Sequence, residues 1–267
     1  EIWDLFIESS WESSEPGVLF WSTVLKNSST NLYGEVDEKF YDTACNPCGE
    51  IVMGTDSCRL MAINLYNFVE NKFKKEAFFN FDKFSKYAQK AQRLMDDMVD
   101  LEIELVKRIL EKIEKDSEPE DIKRIEKDTW EGILDVCKKG RRTGLGITGL
   151  ADALASLNIR YGSKESINMT EKIYKTLEIN AYKSTCIMAG ERGAFPIFSF
   201  DIESRSDFIK RIVNSDNDVK ELYEKYGRRN IALTTTPPAG SISILAQVSS
   251  GIEPVFSIKN IRRKKIH

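Results

Sequence analysis

Asn46-Pro47-Cys48-Gly49-Glu50 places a thiol between an amide and a carboxylate. Read as an extended segment, its side chains alternate between two faces. Asn46, Cys48 and Glu50 then share one face, and Pro47 and Gly49, which carry no reactive group, take the other. The shared face offers a sulfur centre, a hydrogen-bonding group and a potential base. Cys58 follows ten residues after Cys48, near enough for the chain to fold back and bring a second thiol beside the first.

Cys45 and Cys48 also form a C-x-x-C, the spacing of a redox dithiol or of half a zinc site. Zinc needs two more ligands. Cys58 and Cys137 are available, but no second C-x-x-C accompanies the first, and the expectation is that the chain holds no metal. A thioredoxin-like role wants the pair at a helix start, for which Pro47-Cys48-Gly49-Glu50 is poor. Cys137 and Cys186 lie in helical stretches and read as small hydrophobes. The single histidine is His267 at the very end, so neither a Ser-His-Asp nor a Cys-His site can be built around it.

Two further segments carry chemistry. Gly144-Leu145-Gly146-Ile147-Thr148-Gly149 matches G-x-G-x-x-G, yet the residues before it, Lys138 to Thr143, are too polar for the strand that a dinucleotide site requires. It reads as a close-packed turn into a helix from Leu150. Pro238-Ala239-Gly240-Ser241-Ile242-Ser243 follows an apolar strand. Its backbone N–H groups and serine hydroxyls suit an anion, and an ordinary serine-capped turn accounts for the same residues.

These segments must be held by an α/β framework. Residues 2–27 read as two helices broken at Pro16-Gly17, with Trp3, Phe6, Ile7 and Trp11 as a buried face. Residues 40–68 suit strand-loop-strand. Asp82 to Lys115 is a long helix whose Leu94, Met98, Leu101, Leu105, Ile109 and Ile113 keep the helical period. Pro119 opens a second helix that stops at Gly140. Residues 163–190 and 217–226 are helical. Ile231–Thr235 reads as a strand, and Gly251–Phe256 as a last strand-like segment.

The chain has 267 residues, 41% of them hydrophobic, and a net charge of −3. That is enough for a sizeable core, and we read residues 1–267 as a single domain. The charge balance gives no reason to bind nucleic acid, no stretch is apolar enough to span a membrane, and five irregularly spaced cysteines favour a reducing, cytoplasmic setting.

In order along the chain, Asn46-Pro47-Cys48-Gly49-Glu50-Ile51, Arg141-Arg142-Thr143-Gly144-Leu145-Gly146-Ile147, Glu191-Arg192-Gly193-Ala194-Phe195-Pro196 and Pro238–Ser243 with Ser249–Phe256 resemble the catalytic subunit of ribonucleotide reductase. Trp11 and Pro16–Phe20 fit the run-up to the cysteine loop. The Pro-Cys-Gly form of the loop, and the Asp96–Asp100 helix region, resemble the adenosylcobalamin-dependent class II enzymes.

The resemblance implies part of a ten-stranded α/β barrel with the radical cysteine on a central finger loop. It implies reduction of ribonucleotides to 2′-deoxyribonucleotides for DNA synthesis. Cys48 is then the thiyl radical that takes the 3′ hydrogen, Glu50 the base for the 3′-hydroxyl, Asn46 a hydrogen bond to the sugar, and Cys58 one of two reducing cysteines. Pro238, Ala239, Gly240, Ser241 and Ile242 hold the substrate phosphates. Adenosylcobalamin is the implied cofactor and a thioredoxin-type protein the implied external reductant. A companion chain supplying other parts of the barrel, and a homodimer, are the implied partners.

The chain departs from the pattern in places. No residue matches the second reducing cysteine, which normally lies upstream. The allosteric loops and the later shuttle cysteines have no counterpart, and Ala239 stands where the family commonly has Thr. The expectation is that the chain alone does not turn over, being a fragment, a split-gene product that needs its companion chain or a degenerate copy. Two rivals are a zinc-stabilised C-x-x-C interaction module and a nicotinamide-dependent oxidoreductase built on Gly144–Gly149.

Overall fold

The structure is a computed structural model that describes residues 1–57, 59–257 and 259. Two short helices open the chain, α1 (Ile2–Ser13) and α2 (Trp21–Lys26), separated by the stretch around Pro16-Gly17 as the sequence suggests. The expected burial of α1 does not occur. Trp3, Ile7 and Trp11 are all exposed, because none of the described elements packs over that face.

Next comes an antiparallel hairpin, β1 (Ala44–Cys45) paired with β2 (Val52–Met53). It is followed by β3 (Leu60–Asn64) and a second small hairpin, β4 (Val69–Glu70) with β5 (Phe78–Phe79). Asn80 caps the 35-residue helix α3 (Phe81–Lys115), its side chain accepting from the Lys83 N–H at 2.9 Å. Pro119 sits at the N-cap of α4 (Glu120–Gly140), which runs back along α3.

β6 (Gly144–Thr148) is buried throughout and lies parallel to β3, pairing Leu60 with Gly144 through to Asn64 with Thr148. Residues 232–235 run along its other side. The N–H of Leu145 donates to the carbonyl of Leu233 at 2.8 Å, and the N–H of Thr235 to the carbonyl of Leu145 at 3.0 Å. Three parallel segments from distant parts of the chain are thus laid side by side, which is how crossover α/β folds are built. The remaining helices are α5 (Leu150–Ser156), α6 (Lys164–Arg192), α7 (Phe200–Glu203), α8 (Asp207–Val213), α9 (Asn217–Tyr226) and α10 (Gly240–Ala246). Residues 251–256 form no strand, contrary to the expectation, and Val255 and Phe256 are exposed. Among the described residues no helix is long and apolar enough to cross a membrane.

Glycine decides how closely the parallel segments pack. A Cβ on Gly144 would stand 2.7 Å from the carbonyl oxygen of Arg59, and one on Gly146 2.7 Å from that of Thr235. Both distances are shorter than real contacts. The G-x-G-x-x-G is therefore the strand itself, not a turn into a helix as the sequence suggested. The turn is confined to Gly149, whose φ of 74° requires glycine.

The stripe foreseen on α3 is corrected. Its buried residues are Phe84, Ala88, Gln92, Met95, Asp96, Val99, Val106 and Ile113, which pack towards α6 and the strands. Leu94, Leu101 and Leu105 lie on an adjacent face and are exposed. Both stripes keep the helical period, and the neighbours choose between them.

Two buried ionic clusters tie the layers together. Asp96, without solvent exposure, accepts from Arg141 Nε at 2.9 Å and Asn230 Nδ2 at 2.9 Å, and pairs with Arg192 at 3.1 Å. Glu203 accepts from Arg228 Nε at 2.8 Å, Tyr33 at 2.8 Å and Tyr223 at 2.9 Å. The second cluster docks residues 31–35 onto α7 and α9.

Candidate active site

The β1–β2 hairpin presents the cysteine loop, but Asn46–Glu50 is a tight turn and not an extended segment. The Gly49 N–H donates to the Asn46 carbonyl at 3.0 Å, and Gly49 takes a φ of 75°. Asn46 also closes the loop from inside. Its Oδ1 accepts from the Ile51 N–H at 3.2 Å, and its own N–H donates to the Ile51 carbonyl at 3.2 Å. Pro47 suits this reversal because its ring presets φ for the first central position of a turn.

The consequence for the thiol and the carboxylate is unexpected. Alternation put Cys48 and Glu50 on one face. In the turn Cys48 is exposed at the tip, while Glu50 is half-buried and its Oε2 lies buried without a protein partner. A Cβ placed on Gly49 would stand 3.8 Å from the Leu19 side chain. Cys58 lies outside the described residues.

Glu50 lines a cavity of about 310 Å³ together with Thr30, Asp42, Arg59, Arg142, Glu178, Tyr182, Thr234 and Thr235. Its walls hold two more buried atoms without a partner, Asp42 Oδ2 and Arg59 Nη2. Arg59 and Arg142 are both buried and both held by Asp56, the latter through Arg142 Nε at 2.9 Å. A pocket with donors and acceptors of both charges, partly unsatisfied, is suited to water or a polar ligand. Burial raises the carboxyl pKa of Glu178 on its far wall, with the Arg211 charge pulling the other way.

Residues 231–235 do not form the strand expected from the sequence but an extended segment with one isolated parallel bridge, Leu145 to Thr234, and the second predicted segment begins where it ends. Ala239 is the N-cap of α10, and the first-turn N–H groups of Gly240, Ser241 and Ile242 have no place in the helix ladder. The Ala239 N–H is already committed to Ser250 Oγ at 3.2 Å, so Ala239 is not a free donor as expected from the sequence. Pro238, Gly240, Ser241 and Ile242 are exposed.

One hydrogen bond joins the two segments. Thr235 Oγ1 donates to the main-chain carbonyl of Glu50 at 2.9 Å, across 185 residues of sequence. The cavity beside Glu50 is lined by Thr234 and Thr235 but not by Cys48 or the 239–242 turn. Sequence reasoning missed Thr235, Arg59, Arg142 and Asp42. The polar run before Gly144 was the available signal for Arg142, and it served there to argue against a dinucleotide site and as part of a family motif, without a role for Arg142 itself.

Comparison with known proteins gives one family. Residues 1–266 match the family model described as ribonucleotide reductase, barrel domain. The chain is 29% identical over 263 residues to the vitamin B12-dependent ribonucleoside-diphosphate reductase of Thermoplasma acidophilum, covering 98% of this chain and 28% of that protein. It is 26% identical over 259 residues to the protein of the same description from Mycobacterium tuberculosis, covering 97% and 30%. It therefore spans under a third of the length of these relatives. Among solved structures it is similar to the alpha subunit of the Actinobacillus ureae class Id ribonucleotide reductase, with a TM-score of 0.62 and 21% identity, covering 95% of this chain and 39% of the other. That likeness concerns the fold, an α/β barrel, to which β3, β6 and residues 232–235 would contribute neighbouring staves.

Proposed function

The chain belongs to the ribonucleotide reductase barrel family, and on that premise we propose that it carries the radical-cysteine loop of an enzyme reducing ribonucleotides to 2′-deoxyribonucleotides. The observation that supports this reading most is the hairpin. It presents an exposed thiol, Cys48, on a turn closed by Asn46 and anchored at Glu50 to the segment of residues 232–235 that leads into the 238–242 turn. A hydrogen-atom carrier needs such a thiol, reachable from outside and fixed against its neighbours.

In this reading Cys48 gives up its hydrogen atom, and the resulting thiyl radical takes the 3′ hydrogen of the substrate ribose. Thiol S–H and ribose C–H bonds are close enough in strength for the transfer to reverse. Glu50 accepts the 3′-hydroxyl proton as general base. Its main-chain carbonyl is held by Thr235 while one carboxylate oxygen stays without a protein partner, so the side chain is free to turn to substrate. Asn46 positions the sugar through its amide. The 2′-hydroxyl leaves as water, and Cys58 supplies one of the two reducing equivalents. The amides of Gly240, Ser241 and Ile242 take the substrate phosphates, beside Pro238 and Ala239.

Adenosylcobalamin fits as the radical source, because the exposed tip leaves the Cys48 sulfur within reach of a bound group. When bound, it supplies the organic radical that removes the thiol hydrogen. A thioredoxin-type protein restores the reducing thiols. The chain spans under a third of its relatives, so the reading requires the rest of the barrel, on this polypeptide or on a companion, and predicts no turnover by these 267 residues alone. The setting is cytoplasmic.

The test is deoxynucleotide formation from ribonucleoside diphosphates with adenosylcobalamin and a dithiol, by the chain alone and with a polypeptide supplying the remaining barrel. Product from the reconstituted pair, abolished by Cys48→Ser, supports the reading. Product that persists in Cys48→Ser overturns the role of Cys48, and product from the chain alone overturns the need for the rest of the barrel.

A further inference from the structure

The 238–242 turn is held in place from outside its own helix. Helix α10 has seven residues and buries only Ser243. Ile242, Ile244 and Leu245 are exposed. A helix that short is not stable in water by itself, and packing gives this one little support. Its place is given instead by residues 249–251, which lie between the turn on one side and the corner from β6 into α5 on the other. On the turn side, Ser250 Oγ accepts from the Ala239 N–H at 3.2 Å. Gly251 comes so close to Pro237 that a Cβ on it would stand 3.0 Å from the Pro237 carbonyl oxygen.

The corner side engages every main-chain polar group of Ser249 and Gly251. The Ser249 N–H donates to the Asp152 carboxylate. The Ser249 carbonyl accepts from Thr148 Oγ1 at 3.0 Å and from the Gly149 N–H at 2.9 Å. The Gly251 N–H donates to Thr148 Oγ1 at 3.2 Å, and the Gly251 carbonyl accepts from the Leu150 N–H at 3.3 Å. The buried Thr148 hydroxyl thus gives one hydrogen bond and takes another, a double use that a hydroxyl oxygen allows and a methyl group does not. Asp152 stands in the first turn of α5, and its bond to the Ser249 N–H is charge-assisted, hence stronger than a neutral one. Thr148 and Gly149 are the last two positions of the G-x-G-x-x-G, a motif that the reaction proposed above does not use.

We infer that Thr148 and Asp152 are positioning residues for the substrate phosphates. They fix residues 249–251, and through Ser250 and Gly251 they fix where the amides of Gly240, Ser241 and Ile242 point. The inference rests on the phosphate role given above to the 238–242 turn. Free amides hold an anion well only when their directions are set before it arrives, because ordering them on binding subtracts from affinity. Both residues act through the 249–251 segment and not by contact with the phosphates.

The test titrates inorganic pyrophosphate into the full chain, followed by phosphorus NMR, with amide hydrogen exchange read in parallel. Thr148→Val keeps the side-chain shape and removes both hydrogen bonds, and Asp152→Ala removes the acceptor. Each should weaken pyrophosphate binding about tenfold. Each should also quicken exchange at Ser243 and Val248, whose N–H groups bond within the 239–248 segment, while exchange in α6 stays as it was. Thr148→Ser and Asp152→Asn keep the hydroxyl and an acceptor oxygen, and should restore most of both properties. Ser241→Asp sets a carboxylate in the turn and should abolish binding, which locates the probe there. Unchanged exchange in Thr148→Val and Asp152→Ala would overturn the inference. Faster exchange with undiminished pyrophosphate affinity would overturn it too, by showing a contact that is structural only. A parent chain that binds no pyrophosphate, or a Ser241→Asp variant that binds it as well as the parent, would overturn the phosphate reading of the turn and the inference with it, a result distinct from the other two.

Discussion

Thr235 donates its side-chain hydroxyl to the main-chain carbonyl of Glu50 at 2.9 Å, fastening the cysteine hairpin to the third parallel segment. The hairpin has only two residue pairs of its own. An isolated hairpin of that size is marginal in water, so its position depends on this outside anchor. Thr235→Val keeps the shape of the side chain and removes the donor. It should cost about 1 kcal/mol, and amide exchange at Gly49 and Ile51 should quicken while exchange in α6 stays as it was. Unchanged exchange in the loop would show that the anchor is dispensable.

The close approach of the parallel segments predicts a second effect. Gly146→Ala places a methyl group against the Thr235 carbonyl, a main-chain atom that cannot swing aside. Overpacking of this kind costs roughly 1–3 kcal/mol. Denaturant unfolding should show the loss, and the same substitution at the open Gly162, despite its positive φ, should not disturb the strands.

Asp96 predicts acid sensitivity. Burial alone would raise its pKa, but the hydrogen bond and charge of Arg141, with the Arg229 charge and Asn230, outweigh burial and lower it. A lowered folded-state value means stability that is fully present above the unfolded carboxyl pKa, near 3.9, and lost as pH falls through the folded value. Asp96→Asn removes the carboxylate shared by Arg141, Arg192 and Arg229, leaving buried Arg141 only the half-exposed Asp100 at 2.7 Å, and should cost about 3 kcal/mol at neutral pH. The gap between variant and parent should narrow in acid, where the parent loses the same charge. Urea unfolding at several pH values measures it.

Glu203 predicts a comparable loss with a different signature. Arg228 is wholly buried against it, and Tyr33 and Tyr223 donate to the same carboxylate. Glu203→Gln should destabilise by about 3–5 kcal/mol. It should release residues 31–35 first, seen as faster proteolysis near Tyr33 before global unfolding.

The cysteines should separate by reactivity. Burial pushes the Cys137 thiol up to about 11 and the Cys186 thiol up to about 12, and neither is exposed. Cys48 is exposed and Cys45 half-buried. Alkylation at mildly alkaline pH, followed by peptide mapping, should modify Cys48 first and Cys45 next. Cys137 and Cys186 should react only after unfolding. Early labelling of Cys186 would contradict its place in the core.

Much of this molecule is legible in local chemistry. Proline, glycine and capping residues bound the helices, so α3, α4, α6 and α9 stand within a residue or two of where the pattern puts them. Four motifs in order carry the family. Local rules also set Cys137 and Cys186 apart as buried thiols, because both fall in periodic helices, whereas the exposure of Cys48 was not legible from them.

What period alone leaves open was settled by neighbours. Two apolar stripes on α3 satisfy the helical repeat equally, and only α6 and the strands determine that Met95 and Val99 go inside while Leu94 and Leu101 stay out. The pentapeptide looks extended until Asn46 bonds across it to Ile51, turning Cys48 outward and leaving Glu50 in a cavity. Arg142 and Thr235 reach that cavity only because β6 lies between β3 and residues 232–235. Contacts between residues far apart in the chain come from packing and not from local propensity, and in this chain packing selects the face each candidate-site side chain presents.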